Sequence, residues 1–387
     1  VTATAHIKAL DLFAGTGWGV ACQRLGIKEA GVEIMPEAIE TRAANGMETI
    51  YRDVWGGLQL TAEDHREAYG SYGLLIASPP CQTFSTAGKG AGRAALDEVL
   101  EAIELHAYKD ADALLRFGEQ HDMRTALVLT PLAYVWRDRP RLVAMEQVPT
   151  VLPVWEACAE VMREWGYEVK VEILNAEQYG VPQTRKRAIL VARRSGEVHM
   201  PKPTHSKYYS TKPTKLDPEV HKWVSMAEAL GFDGFTAEKV MGRGMVERYG
   251  DRPGRDSSSP AFAIRAAAGG MEPGGFILRA KPPGYLAASG TSCQIVDPRP
   301  IEHPAPTMTG AGNAEFGERP TRAAGPGQRD PKGRRLTPLE VATLQTYEKP
   351  FIWCGNKGKQ FLQIGNAVPP LLAEAILAAL IGIKEGR

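Results

Sequence analysis

A cysteine lies in Ser78-Pro79-Pro80-Cys81-Gln82-Thr83-Phe84-Ser85, directly after the apolar run Leu74-Leu75-Ile76-Ala77. The run reads as a short buried strand. A thiol just past the carboxyl end of a strand, behind two prolines that fix the backbone, is well presented for attack on a substrate. A second chemical stretch is glycine-rich: Ala14-Gly15-Thr16-Gly17-Trp18-Gly19 follows the strand Ala9–Phe13 and leads into a helix from Val20 to Leu25. Its glycines allow a sharp bend and close approach to a ligand, and the spacing alone suits any dinucleotide or adenosyl cofactor. The next strand, Ala30-Gly31-Val32, ends in Glu33, where a carboxylate can accept hydrogen bonds from ribose hydroxyls. Asp53 ends a further short strand, and Glu146-Gln147-Val148 follows the strand Arg141–Met145.

These residues need an element that brings them together. Five successive strands with polar residues at their carboxyl ends are what an open parallel α/β sheet presents at its ligand crevice. A helix from Pro36 to Asn45, a helix from Val154 to Trp165 and strands over Tyr167–Leu174 and Ala188–Val191 extend the pattern. The basic stretch Gln183-Thr184-Arg185-Lys186-Arg187 enters the last of these strands. Residues 82–95, rich in Gly, Ala, Lys and Ser, suit a loop that closes over a substrate, and helical spacing follows from Leu96 to Arg116.

Composition sets the bounds. The 387 residues suffice for two domains, with 43% apolar and 24% charged residues as in ordinary globular proteins. No apolar run reads as long enough to span a bilayer, and no signal peptide opens the sequence. Five scattered cysteines without a C-x-x-C pair argue against zinc and a disulfide framework and for a reducing cytoplasm. His106, His121 and Asp122 lack the spacing of a metal cage, so no metal is expected. A net charge of +1 leaves nucleic-acid binding to local patches, of which 185–207 and 319–335 are candidates; each also reads as a solvated face.

Composition changes after Arg194. Residues 1–199 form the expected cofactor-binding and catalytic domain, 200–332 a Pro-, Gly- and Arg-rich second domain, and 333–387 a return to the first. Within the second, Trp223 to Leu230 reads as a helix, and 259–266 and 303–310 look alike. Thr337 can cap a helix from Pro338 to Gln345, and the apolar helix Leu371 to Ile383 should pack back on the first domain.

Six motifs in order resemble those of the bacterial and phage DNA cytosine-5 methyltransferases: Asp11-Leu12-Phe13-Ala14-Gly15, Pro79-Pro80-Cys81-Gln82, Glu146-x-Val148, Gln183-x-Arg185-x-Arg187, Arg335-Leu336-Thr337 and Gln363-Ile364-Gly365-Asn366. The resemblance covers nearly the whole chain. It implies a Rossmann-like S-adenosylmethionine-dependent sheet with a smaller, loop-rich target-recognition domain over 200–332. Cys81 would be the nucleophile, and Glu146, Arg185 and Arg187 its catalytic partners. Phe13, Ala14, Gly15, Thr16, Gly17, Trp18, Glu33, Ile34, Asp53, Val54, Pro79, Asn366 and Val368 would bind S-adenosylmethionine. Gln183 would hold the flipped base, with Gln82 and Ser85 filling the gap or holding the backbone of double-stranded DNA. A monomer acting in the cytoplasm with no obligate protein partner completes the expectation, and a cognate restriction endonuclease, a host-protective role and a phage anti-restriction role all stay open. Three features depart from the family: Gln147 replaces the usual Asn, Trp18 replaces a usual Gly, and the loop after Gly90 lacks an Asp-Arg-Gly pattern. RNA methylation by the same chemistry, a silent DNA-binding relative and a nicotinamide-dependent oxidoreductase are the competing readings; the last leaves the Cys81 loop unexplained.

Overall fold

Short apolar segments pair side by side to build the sheet: β1 (Lys8–Leu12), β2 (Lys28–Val32), β3 (Glu48–Tyr51), β4 (Leu74–Ala77) and β5 (Leu142–Gln147) run parallel. Two more, β6 (Glu168–Asn175) and β7 (Lys186–Arg193), complete the order β3-β2-β1-β4-β5-β7-β6. The computed structural model describes residues 6–80, 91–239, 254–264, 276–280 and 333–383. The expected Rossmann-like α/β sheet is present, with one addition. Strand β7 runs antiparallel to both of its neighbours. Its centre, Ala188–Ala192, is fully buried, and a strand covered on both faces reads the same in either direction. Strand order reverses around β1, flanked by β2 and β4, which opens a crevice at the carboxyl ends there.

Apolar layers cover both faces. Helices Thr130–Asp138 and Leu152–Glu164 pack Leu132, Val135, Trp155 and Met162 against one face, with Leu10, Leu12 and Leu75 from the strands. Helices Gly17–Leu25 and Pro370–Ile381 cover the other, with Trp18, Ala21, Leu372, Ile376 and Leu380 on Ala9, Leu74 and Ile76. The carboxyl-terminal segment corrects the hydropathy reading, because Lys357–Ile381 is long and apolar enough to cross a membrane by composition. It is in fact two helices, Lys357–Asn366 and Pro370–Ile381, and 61% of its most apolar window is buried in the protein.

Local signals explain most boundaries. Pro36 opens the helix Pro36–Ala44 at its first position, where its missing N–H is harmless. The helix expected from Leu96 begins earlier, at Ala91, and ends at Glu104, since the alanines before Leu96 favour helix. His106 then adopts a left-handed conformation, and Asp110 caps a separate helix, Ala111–Gln120. Ser225 forms a capping box with Glu228, so the helix there spans only Met226–Leu230. Thr337 and Glu340 form another at the start of Pro338–Leu344.

A second sheet draws on the variable region. Strands β8 (Phe235–Lys239), β9 (Arg255–Asp256), β10 (Phe276–Ala280) and β11 (Gly333–Arg335) lie in the antiparallel order β11-β10-β8-β9. Phe235, Ala237, Ala261 and Ile264 share a core with Leu336, Leu344 and Ile364. The second of the two look-alike segments, 303–310, and the basic stretch 319–332 lie outside the described residues.

Candidate active site

The glycine turn is held in shape from three directions. Phe13 and Gly15 have φ of 60° and 47°, which swings the chain away from β1. The Gly15 N–H donates to Glu33 Oε2 and the Met35 N–H to Glu33 Oε1, each at 2.9 Å. Glu33, just past β2, is thereby fixed in orientation while its carboxylate keeps further acceptor capacity. Beneath the turn, buried Arg42 donates to the Gly15 carbonyl at 3.1 Å and forms an ion pair with Glu29 at 2.7 Å. Gly31 makes room for it, since a Cβ there would stand 2.3 Å from the guanidinium. The carboxyl-terminal segment closes the third side. A Cβ on Gly17 would lie 2.0 Å from the Val368 carbonyl oxygen, so only glycine admits that approach. Thr16 Oγ1 and the Tyr347 hydroxyl meet at 2.6 Å.

Next to Glu33, Ile34 is 72% exposed, an apolar surface on which a flat base could lie. Asp53 follows β3 and caps the turn Val54–Leu58, accepting from the Trp55 N–H at 3.1 Å. Asn366 ends the helix beside Val368 and is exposed. A close-approach glycine turn, a fixed carboxylate, an exposed apolar platform and a strand-end aspartate in sequence fit an adenosyl cofactor. Trp18 does not face this crevice. Its side chain is 1% exposed in the core, and its indole N–H donates to Ser78 Oγ at 2.8 Å.

Strands β1, β4 and β5 are successive neighbours, so the turn, the β4 exit and the end of β5 lie along about 10 Å of one sheet edge. Ser78, Pro79 and Pro80 form that exit; Cys81, Gln82 and Ser85 lie outside the described residues. Glu146 is the penultimate residue of β5 and 5% exposed. Arg187 of β7 reaches it, with Nε 2.5 Å from Glu146 Oε1. The antiparallel β7 makes this possible, because its entrance, not its exit, falls at the site edge.

Two other residues of the same motif have different partners from those the resemblance implied. Arg185 is 2% exposed, and its guanidinium donates to the carbonyls of Ile264 (2.7 Å), Gly365 (3.1 Å) and Ala367 (3.0 Å). Gln183 is fully buried; its Oε1 accepts from the Ile264 N–H at 2.7 Å and its amide donates to Gln345 Oε1 at 3.1 Å. Both side chains face protein carbonyls and amides, and tie the segment 261–264 to the helices after residue 336. The sequence offered no sign of Arg42 or Tyr347 in the site. A short motif cannot show which buried side chains lie under a turn. Among the described residues no group of three or more His, Cys, Asp or Glu could hold a metal ion.

The sheet order with its one antiparallel strand, together with the turn and the Glu33 carboxylate, fits an S-adenosylmethionine-dependent methyltransferase. The model of the C-5 cytosine-specific DNA methylases matches residues 7–103, 116–247 and 278–382, and the chain belongs to that family. It is a DNA cytosine-5 methyltransferase dependent on S-adenosylmethionine. The Type II methyltransferase M1.HphI of Haemophilus parahaemolyticus is 26% identical over 383 residues, covering 96% of this chain and 86% of that protein. M.HindV of Haemophilus influenzae is 25% identical, covering 98% of each. Among solved structures, S. pombe Dnmt2 aligns over 97% of this chain and 99% of its own with a TM-score of 0.56 at 14% identity. A Spodoptera frugiperda DNMT2 mutant aligns over the same shares at 0.57 and 18%. At those identities the two structures speak to the fold.

Proposed function

We propose that the chain is a modification methyltransferase of the Type II kind, in which Cys81, Glu146 and Arg187 carry the reaction on a cytosine flipped out of double-stranded DNA. The contact between Arg187 and Glu146 at the sheet edge, 2.5 Å long, carries this reading. Cytosine C5 is a weak nucleophile because the ring is aromatic. The Cys81 thiolate adds to C6, forming the S–C6 bond and moving the ring π electrons toward C5. Glu146 holds a proton at N3 to offset the charge that builds on the ring during addition. Arg187 orients the Glu146 carboxyl and stabilises the charged adduct. S-adenosylmethionine, when bound, supplies an electrophilic methyl group at its sulfonium. Once C5 has bonded to that methyl group, with the methyl–sulfonium bond broken, loss of the C5 proton to a base returns electrons to the ring and breaks the S–C6 bond, freeing Cys81. Phe13 to Gly17, Glu33, Ile34, Asp53, Val54, Pro79, Asn366 and Val368 hold the cofactor in this reading.

Base flipping costs a few kcal/mol, offset by contacts to the extruded base and to the gap, roles assigned to Gln82 and Ser85. Residues 200–332 form the target-recognition domain, and 1–199 with 333–387 the catalytic domain. Gln183 and Arg185 act as braces between the two in place of direct contact with the base. The protein acts as a monomer in the cytoplasm, in a cell that holds a cognate endonuclease.

Bisulfite sequencing of unmethylated plasmid, after incubation with protein and S-adenosylmethionine, tests the reading. Protected cytosines in one short repeated context, absent with Cys81→Ser, are the expected result. Turnover by Cys81→Ser equal to wild type would remove the nucleophile assignment.

A further inference from the structure

Two side chains converge on the two residues that launch the Cys81 loop. Ser78 leaves β4 with its N–H on the Leu12 carbonyl at 3.2 Å, and its hydroxyl accepts the Trp18 indole N–H at 2.8 Å. Pro79 follows, and its carbonyl accepts the Gln147 side-chain amide, while Gln147 Oε1 takes the Val148 N–H at 2.5 Å. Trp18 is 1% exposed and Gln147 4%; the Gln147 bond is buried, and the Trp18 bond is partly buried at the half-buried Ser78. Trp18 is the second residue of the helix that follows the glycine turn, one residue past the glycine that meets Val368. Gln147 directly follows Glu146. These are also positions where the chain departs from the family's usual Gly and Asn, and a glycine at 18 would have no side chain to reach Ser78.

We infer that Trp18 is a positioning residue for methyl transfer: its indole N–H tethers Ser78 so that the cofactor turn and the start of the Cys81 loop move as one body, with Gln147 as the second point of the clamp. The inference rests on the proposed role of Cys81. An N–H to hydroxyl bond from a buried ring fixes the direction in which the chain leaves β4. Misplacement of a reacting group by about 1 Å can cost about a hundredfold in rate. The tether therefore acts on the chemical step and leaves the crevice that holds the cofactor intact.

The test uses full-length Trp18→Phe, which keeps most of the ring and removes the N–H, and Ser78→Ala, which removes the acceptor. Single-turnover methylation should fall about ten- to a hundredfold in each, with the KM for S-adenosylmethionine within about twofold. The double variant should be no slower than the worse single one, because both remove one bond. Ser78→Thr, which restores a hydroxyl, should recover most of the rate. In cofactor-free protein, alkylation of Cys81 by iodoacetamide, followed by peptide mass, should change several-fold in both variants and return toward wild type in Ser78→Thr. Wild-type rates and alkylation in Ser78→Ala would overturn the tether, as would a KM rise that accounts for the whole loss. If Cys81→Ser loses turnover while both tether variants keep theirs, the tether fails and the nucleophile stands. Full turnover by Cys81→Ser would overturn both together.

Discussion

Glu146 and Arg187 form a contact in which each side chain is nearly removed from water, with 7% and 15% of their surfaces exposed. Losing one member leaves the other poorly solvated, and the chemistry assigned to Glu146 needs a carboxyl that can carry a proton. Glu146→Gln should keep DNA and cofactor binding within a few-fold and lower single-turnover methylation about 10²- to 10³-fold. Arg187→Lys should retain more rate than Arg187→Ala, because an ammonium supplies charge without the planar fork. Equal rates in the two would show that the contact itself does not matter. A second residue acts on stability alone. His65 is 1% exposed among Tyr51, Tyr69, Tyr72 and Tyr134, close to the Arg137–Asp138 pair, with Nε2 on the Tyr51 hydroxyl at 2.5 Å. Burial, and then Arg137, lowers its pKa from the usual 6.5. The unfolded chain thus takes up a proton at a pH where the folded one does not. His65 contributes stability that is complete above about pH 6.5 and is lost as pH falls from there through the lowered folded value. Melting curves between pH 7.5 and 5 should show a drop in wild type that His65→Phe reduces; parallel curves would count against it.

Elements differ in how much their sequence announces. The strand ending at Ser78 was legible because four apolar residues, Leu74 to Ala77, run into it, and Ala30-Gly31-Val32 marked the strand before Glu33. The cap at Thr337 was local and could be read in place, whereas the Ser225 box, which shortens the helix read from Trp223, and the direction of β7 were not. Long-range packing left no local trace either. Arg42 reads as one more exposed charge on a helix, yet it is fully buried with Glu29 and touches the Gly15 carbonyl. Trp18 read as part of a cofactor turn, yet its ring lies in the core with Ala9, Leu74 and Ile76 of the sheet and Leu372 of the carboxyl-terminal helix. Replacing Glu29 with Gln leaves Arg42 buried without its counter-charge, so stability should fall by about 3–5 kcal/mol. Cofactor affinity should fall with it, read by calorimetric titration. A variant that keeps wild-type stability would show that the pair is dispensable to the turn.

Across the whole molecule, three segments far apart in sequence meet at Arg185: its own strand entrance, Ile264 from the variable region, and Gly365 with Ala367 near the end. A buried guanidinium on three carbonyls replaces covalent continuity between these parts. Arg185→Leu should destabilise by several kcal/mol and should broaden or split the unfolding transition if it releases the variable region separately. A single sharp transition at the wild-type midpoint would argue against the brace.

The approach of Val368 to Gly17 also sets a timetable for the newborn chain. Ribosomes make the glycine turn at Gly17 long before they make its lid at Val368. Until Val368 has left the exit tunnel, the crevice lacks one wall. A nascent or prematurely terminated chain should therefore be unable to capture its cofactor. Cells producing such fragments would be spared a half-built enzyme that occupies the donor or marks DNA.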